Sequence, residues 1–281
     1  MSTHRGSIKQ LEPVAPWPQR PTHDDPAAPN RPQVGPGDIA GQLVSLLAPS
    51  SYIADQYRSL RHSVERRRNE SGLRALAVTS AGPGEGKTVT TLNLAGAMAQ
   101  GHNRRILVID ADLRRPSVGK YLGLDPLRLP GLGDAIQNPA CELRDVICRL
   151  ERFNLSVVPA GMPNPTPYEL LNSPRLESLL TEACSLYDQV LIDTPPLISL
   201  PDCRLIGKWV HGFLVVVGAH KTPRRLVAEA LNLLEPAKVI GIVFNGDDRP
   251  RSSHYGYYHD YYGQGRRPGW WRRAWDRGIS R

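Results

Sequence analysis

Residues Ala81 to Thr88 read Ala-Gly-Pro-Gly-Glu-Gly-Lys-Thr, a glycine-rich run whose residue types suit phosphate binding. Glycine lets the backbone approach an anion closely and adopt positive φ angles, and successive N–H groups then bind phosphate oxygens. Lys87 is expected to reach the β- and γ-phosphates, and the Thr88 hydroxyl to ligate Mg²⁺. We therefore predict a nucleoside triphosphate site built from Gly82, Pro83, Gly84, Glu85, Gly86, Lys87, Thr88 and Val89.

Three aspartates directly follow apolar runs elsewhere in the chain. Asp110 and Asp112 come after Ile106–Ile109, and Asp193 comes after Val190–Ile192. Phosphoryl transfer requires Mg²⁺ held by carboxylates, directly or through water, and a group that orients or deprotonates the attacking hydroxyl. One aspartate after a strand is usually a turn or capping residue. Three of them beside an intact phosphate loop predict a phosphoryl-transfer site.

The elements that must position these residues can be recognised from apolar patterns. Six short runs are almost continuously apolar, as in strands that are buried on both faces of a parallel sheet: Leu76–Thr79, Ile106–Ile109, Leu155–Val158, Val190–Ile192, Phe213–Val217 and Val239–Phe244. Helical patterns lie between them, at Thr88–Ala99, Pro174–Tyr187 and Arg224–Leu234, and another runs from Ile39 to Arg68. The sequence predicts a doubly wound, mostly parallel α/β sheet of the P-loop NTPase type, with its ligand at the carboxyl ends of the strands.

Composition divides the 281 residues into three parts. Residues 1–40 are proline-rich and are expected to be a disordered arm. Residues 41–248 are the predicted catalytic domain. Residues 249–281 are expected to be a flexible tail, with eight arginines and two aspartates that supply +6 of the formal net charge of +8. Because no apolar run approaches the roughly 20 residues that cross a bilayer, we expect a cytoplasmic protein.

The order of these motifs resembles that of the bacterial tyrosine kinases, or BY-kinases, from about Ser45 to Asp248. Asp110-Ala-Asp112-Leu-Arg114 is similar to the second Walker-type motif of that family. Other matching segments are the phosphate loop Ser80–Thr88, the Walker B sequence Asp193–Pro196, Pro163–Pro165 with Glu169–Leu171, and Val243–Gly246. Each segment is moderately specific, whereas their order is highly specific.

The resemblance assigns roles in transfer of the ATP γ-phosphate to tyrosine. Asp110 would be the base toward the tyrosine hydroxyl, whose ordinary pKa of about 10 makes it a poor nucleophile at neutral pH. Lys87 would stabilise charge on the transferring phosphate, with Arg114 as a helper. These three residues are the predicted catalytic set.

The same resemblance implies ATP and Mg²⁺ as cofactors. Asp112 and Asp193, together with Thr88, would hold Mg²⁺ largely through water. Asn245, in the segment that follows the last predicted strand, would contact adenine.

The tail contains a tyrosine cluster in a glycine-rich stretch with no core to fill. Five of the ten tyrosines fall within eight residues: Tyr255, Tyr257, Tyr258, Tyr261 and Tyr262. In BY-kinases such a cluster is phosphorylated by other copies of the kinase, so the resemblance makes these residues the phosphoacceptors. Each phosphate adds about −1.5 to −2 charges, which would turn a basic tail acidic.

Asp55-x-x-Arg58-x-x-Arg61 is similar to the Glu-x-x-Arg-x-x-Arg helix through which BY-kinases form rings, with eight subunits as one form. Aspartate in place of glutamate shortens the reach of the first side chain. A solvated, charged helix face is the alternative interpretation. A ring would let each subunit present its tail to a neighbour, which predicts phosphorylation in trans.

The resemblance also implies partners: a separate transmembrane chain-length regulator that activates the kinase, and a protein-tyrosine phosphatase. The pathway would be capsule or exopolysaccharide polymerisation and export. The segment from Arg266 to Trp275 combines arginine and tryptophan, which suits either an anionic membrane surface or a merely solubilising end.

The main alternative is a partitioning-type P-loop ATPase. Those proteins carry an additional lysine near the start of the loop, where this chain has Gly82, and they lack a tyrosine tail. A nucleic-acid-binding regulator would leave the three strand-end aspartates without a purpose. Nucleic acid is therefore not expected as a partner.

Overall fold

Strands and helices alternate along the part of the chain that the computed structural model describes, namely residue 34 and residues 38–101, 104–125 and 129–247. Its strands are β1 (Ala75–Ser80), β2 (Ile106–Asp110), β3 (Cys148–Leu150), β4 (Leu155–Val158), β5 (Gln189–Asp193), β6 (Gly212–Gly218) and β7 (Val239–Asn245). Its α-helices are α1 (Val44–Leu47), α2 (Tyr52–Ser71), α3 (Lys87–Ala99), α4 (Val118–Tyr121), α5 (Leu132–Gln137), α6 (Leu143–Val146), α7 (Pro167–Leu171), α8 (Pro174–Leu186), α9 (Asp202–Ile206) and α10 (Arg224–Asn232).

The strands form one sheet in the order β3-β4-β2-β5-β1-β6-β7. Every neighbouring pair is parallel except β3 and β4, which are antiparallel. The predicted doubly wound, mostly parallel sheet is therefore confirmed, and the six predicted runs differ from the strands by at most one residue at each end. Strand β3 was not predicted, because three residues with a central arginine carry no apolar pattern.

Alternation of side chains along each strand divides the core into two layers. Leu76 and Val78 of β1 belong to one apolar cluster, which α2 and α3 cover together with the segment before α1. Ala75 and Ala77 belong to the other cluster, which α5, α6, α8, α9 and α10 cover. The central strands are thus buried on both faces, and this explains why their sequences are continuously apolar.

The helical pattern predicted for Ile39–Arg68 is two helices rather than one. Helix α1 ends before Pro49, and α2 begins after Ser51, whose side chain accepts a hydrogen bond from the Ala54 N–H at 3.2 Å. This is an N-cap, which stabilises the start of a helix and sets its direction. Helix α2 ends at Ser71 and is capped by Gly72, whose φ is 70° and whose N–H donates to the Arg68 carbonyl.

The sequence predicts a disordered arm at residues 1–40 and a flexible tail at residues 249–281. The proline-rich arm and the arginine- and tyrosine-rich tail lie outside the described residues, apart from residues 34 and 38–40. The five predicted phosphoacceptor tyrosines belong to that tail. Within the described ranges, no helix has the length and apolar character needed to cross a bilayer.

Candidate active site

The phosphate loop connects β1 to α3 and contains two glycines in the left-handed region. Gly84 has a φ of 75° and Gly86 a φ of 91°. At Gly86 a Cβ atom would also lie 1.9 Å from the side-chain nitrogen of Asn245. The positive φ favours glycine at residue 86, and any larger residue would also have to displace the Asn245 side chain.

Side chains from the ends of β6 and β7 hold this loop from one side. The two carboxylate oxygens of Glu85 accept hydrogen bonds from the Ala81 N–H at 3.1 Å and from the Thr222 hydroxyl at 2.6 Å. The Asn245 side chain donates to the Glu85 carbonyl at 3.0 Å. The structure thus places Asn245 against the loop, and its contact with adenine stays a prediction. No sequence pattern pointed to Thr222, which follows β6.

The three predicted aspartates lie together at the carboxyl edge of the sheet. Asp110 and Asp193 are the last residues of β2 and β5, and these neighbouring parallel strands pair them directly in register. Asp112 lies two residues beyond β2. All three are buried, with relative exposures of 0%, 4% and 0% for Asp110, Asp112 and Asp193. All three predicted aspartates therefore lie close together at this edge of the sheet.

Lys87 and Thr88, the first residues of α3, meet these carboxylates. The Lys87 Nζ lies 3.2 Å from Asp112 Oδ2 and 4.0 Å from Asp193 Oδ2. The Thr88 hydroxyl donates to Asp193 Oδ2 at 2.6 Å. The predicted loop lysine, loop hydroxyl and two of the predicted strand-end carboxylates therefore form one cluster.

This cluster suits Mg²⁺. The second oxygen of Asp193, Oδ1, is buried and accepts no hydrogen bond within the described part of the chain. The nearby Thr91 hydroxyl donates its one proton to the Lys87 carbonyl, at 2.8 Å. Among the described residues, no three His, Cys, Asp or Glu side chains enclose a metal by themselves. Mg²⁺ characteristically keeps water and phosphate ligands beside one or two protein oxygens, which this arrangement can offer.

The electrostatics of the cluster follow from burial. Burial raises the pKa of Asp193, against the attraction of Lys87 and the hydrogen bond from Thr88. For Asp110, burial and then repulsion from Asp193 raise the pKa. Burial would lower the pKa of Lys87, but attraction to Asp193 and Asp112 outweighs it and raises that pKa. The crevice thus concentrates negative charge that a cation would relieve.

Asp110 is bound by backbone groups on both of its oxygens. Oδ1 accepts from the Asp112 N–H at 3.1 Å, and Oδ2 accepts from the N–H groups of Ser117 and Val118 at 3.0 and 2.9 Å. A raised pKa suits a general base. Complete burial, however, means that the segment from Asp112 to Val118 must move before Asp110 can meet a tyrosine hydroxyl.

Arg114, predicted to assist at the phosphate, is engaged elsewhere. Its Nε and Nη2 atoms donate to the two oxygens of Asp202, at 2.6 and 3.2 Å. The Asp202 side chain is 1% exposed and that of Arg114 is 36% exposed. Such a bidentate pair joins the segment after β2 to the start of α9. No sequence pattern pointed to Asp202, because 88 residues separate it from Arg114.

Replacing Arg114 by alanine should lower the free energy of unfolding by about 1–2 kcal/mol, because the buried Asp202 carboxylate would lose both hydrogen bonds. Urea denaturation of the nucleotide-free protein measures this change. Arg115→Ala is the matched control, since the Arg115 side chain is exposed and its backbone N–H still bonds to Asp112. Unchanged stability together with lost activity would instead support the predicted phosphate contact.

The predicted self-association residues lie on α2 and differ in their surroundings. Arg58 pairs with Asp55 and also donates to the Pro49 carbonyl, and both charged side chains are about two-fifths exposed. Arg61 instead donates to the Ala97 carbonyl of α3 at 3.0 Å and to Glu65 at 3.0 Å. Asp55 and Arg58 are therefore partly exposed on the outer face of α2, whereas Arg61 attaches α2 to α3, the helix that follows the phosphate loop.

Comparisons with known proteins agree with this geometry. Residues 73–204 match the model of a family described as an AAA domain. The chain is 34% identical over 218 residues to the tyrosine-protein kinase YwqD of Bacillus subtilis (strain 168), covering 77% of this chain and 90% of that protein. This chain belongs to the bacterial tyrosine kinases.

Longer members of the same family also match. The chain is 32% identical over 231 residues to the putative tyrosine-protein kinase EpsB of Ralstonia solanacearum, but the match spans only 30% of that protein. Among solved structures, the kinase domain of the Escherichia coli tyrosine kinase ETK has a TM-score of 0.69 and 29% identity, covering 76% of this chain and 84% of that one. The chain is thus a tyrosine kinase, and the family model that matches residues 73–204 includes β1 to β5.

Proposed function

We propose that this kinase transfers the γ-phosphate of ATP to tyrosines of its own C-terminal tail, supplied by another copy of the chain. The observation that carries the proposal is the convergence of Lys87, Thr88, Asp112 and Asp193 at the carboxyl edge of the sheet. Tyrosine kinase relatives of similar length supply the reaction class. The tyrosine-rich tail supplies an acceptor.

Each residue of the site has a proposed role. The phosphate loop from Gly82 to Val89 binds the triphosphate, and Lys87 stabilises charge on the transferring group. Thr88, Asp112 and Asp193 would hold Mg²⁺, largely through water, and the bound ion would neutralise charge on the phosphate groups. The buried Asp193 Oδ1, which accepts no hydrogen bond from the described residues, supports that role.

Asp110 is the proposed base, Arg114 is the proposed helper of Lys87 at the transferring phosphate, and Asn245 is the proposed adenine contact. The raised pKa of Asp110 supports its role. In the present arrangement its oxygens hold the segment that precedes α4, so accepting a tyrosine proton requires that segment to open. Arg114 must likewise leave Asp202 to reach a phosphate. Asn245 donates to the Glu85 carbonyl of the phosphate loop, which supports a contact between this side chain and adenine.

The proposed assembly is a homo-oligomeric ring, an octamer being one form, in which α2 contributes Asp55, Arg58 and Arg61. The exposure of Asp55 and Arg58 supports a contact there. By resemblance, we propose further partners: a separate transmembrane chain-length regulator, a protein-tyrosine phosphatase and an anionic membrane surface for the arginine- and tryptophan-rich end. The proposed location is the inner face of the plasma membrane, in capsule or exopolysaccharide export.

The test uses the full chain with Mg²⁺ and ATP. Phosphotyrosine mapped by mass spectrometry should concentrate in the tail, and changing all five tail tyrosines to phenylalanine should remove nearly all of it. Tyr168→Phe is the matched control, because Tyr168 is an exposed tyrosine of α7 outside the tail. ATP hydrolysis without tail phosphate would contradict the proposal and favour the partitioning-type ATPase.

A further inference from the structure

The Ser117 hydroxyl lies 2.9 Å from the Thr88 hydroxyl, at the edge of the carboxylate cluster. Nothing in the sequence pattern gave Ser117 a role. A hydroxyl has one proton to donate and two lone pairs that can accept. Thr88 donates its proton to Asp193 Oδ2 at 2.6 Å. The Ser117 hydroxyl must therefore be the donor toward Thr88, and it occupies one of the two Thr88 lone pairs.

The position of Ser117 is set by the end of β2. Its backbone N–H donates to Asp110 Oδ2 at 3.0 Å, and the N–H of Val118 donates to the same oxygen at 2.9 Å. Asp110 is fully buried and is itself the last residue of the strand. Because the backbone of Ser117 is fixed in this way, its hydroxyl has a defined position relative to α3.

We propose that Ser117 is a positioning residue that orients the Thr88 hydroxyl toward Mg²⁺. Two hydrogen bonds, one given to Asp193 and one received from Ser117, restrict rotation of the Thr88 side chain and leave one lone pair for the metal. This inference rests on the proposed function, in which Thr88 ligates Mg²⁺. Outer partners that orient a metal ligand strengthen binding without touching the metal.

The same hydrogen bonds imply a structural role for Asp110 in addition to its proposed role as a base. Its carboxylate holds the Ser117 and Val118 N–H groups, so it fixes the hydroxyl that orients Thr88. The end of β2 is in this way connected to the first turn of α3 through Asp110, Ser117 and Thr88. A tyrosine hydroxyl that draws Asp110 away would weaken this connection.

The experiment measures binding of a fluorescent ADP analogue to the full chain, first in EDTA and then across a series of Mg²⁺ concentrations. Ser117→Ala should leave the affinity in EDTA unchanged and raise the Mg²⁺ concentration of the midpoint about 2- to 10-fold, the effect of one hydrogen bond. Ser117→Thr, which keeps the hydroxyl, should behave like the wild type. Ser156→Ala is the matched control, since that serine is buried on β4 and contacts Arg149.

The outcomes are distinct. An unchanged Mg²⁺ midpoint in Ser117→Ala, with normal Mg²⁺ dependence in the wild type, overturns the positioning role alone. Equal weakening in EDTA and in Mg²⁺, or a midpoint shift that Ser117→Thr shares, also overturns it, because either result indicates a merely structural residue. A wild-type protein whose ADP binding ignores Mg²⁺ overturns the metal-binding part of the proposed function, and this inference with it.

Discussion

Replacing Lys87 by methionine should reduce tyrosine phosphorylation by about 10²- to 10³-fold, the usual effect of removing one group that stabilises charge in a transition state. Lys87 is the amine that lies against both Asp112 and Asp193. Its loss removes the positive charge at the site and leaves those carboxylates without that partner. The measurement is the initial rate of phosphotyrosine formation with Mg²⁺ and ATP.

The same variant tests whether transfer occurs between copies. Lys87→Met chains with a distinguishing tag should gain tail phosphate when mixed with wild-type enzyme, because their tails remain intact. Lys208→Met is the matched control for removal of a lysine, since Lys208 is exposed and bonds to the side chain of Asn172. Tagged chains that stay unphosphorylated while the wild type modifies itself would show a reaction in cis.

Replacing Asp193 by asparagine should abolish Mg²⁺-dependent phosphorylation and at the same time stabilise the nucleotide-free protein by about 1–2 kcal/mol. Burial raises the pKa of this carboxyl above its ordinary value, so its charged form costs stability in the folded state. Each pKa unit corresponds to about 1.4 kcal/mol. A neutral amide avoids this cost and can still accept the Thr88 hydrogen bond.

The direction in which stability changes with pH follows from the raised pKa of Asp193. Asp193, with a pKa of about 6 in the folded state against an ordinary value of 3.8, binds more protons there than in the unfolded chain. Stability therefore falls as the pH rises from about 4 through about 6 and then levels off. Melting temperatures of the wild type should therefore drop more between about pH 5 and pH 8 than those of Asp193→Asn. Glu177→Gln, which alters an exposed carboxyl of α8, should follow the wild type. Equal slopes for wild type and Asp193→Asn would contradict the prediction.

The fold and much of the candidate site could be predicted because both depend on short, continuous stretches of sequence. Strands such as β2 and β5 are continuously apolar, since each is covered on both faces. Their terminal aspartates, Asp110 and Asp193, could be predicted to meet because parallel strands end at one edge. The glycines and Lys87 of the phosphate loop belong to a single continuous motif.

The contacts that fix the details could not be predicted, because they join distant segments. Asp202 is 88 residues from Arg114, and Thr222 is 137 residues from Glu85. A lone threonine or aspartate after a strand looks like any turn residue. Strand β3 could not be predicted although its contact is local. Its three residues pair with β4 because a short turn brings the two strands together, and their composition shows no strand pattern.

The attachment of α2 to α3 through Arg61 has a consequence for how assembly in this kinase can be probed. Arg61 donates to the Ala97 carbonyl in the last turn of α3, so an Arg61 variant alters the packing of α2 on α3 as well as the outer face of α2. Inactivity of such a variant could therefore not be assigned to lost self-association alone. Charge reversal at Asp55 and Arg58 alters the outer face while leaving the Arg61–Ala97 contact in place, which makes that pair the cleaner test of the proposed self-association.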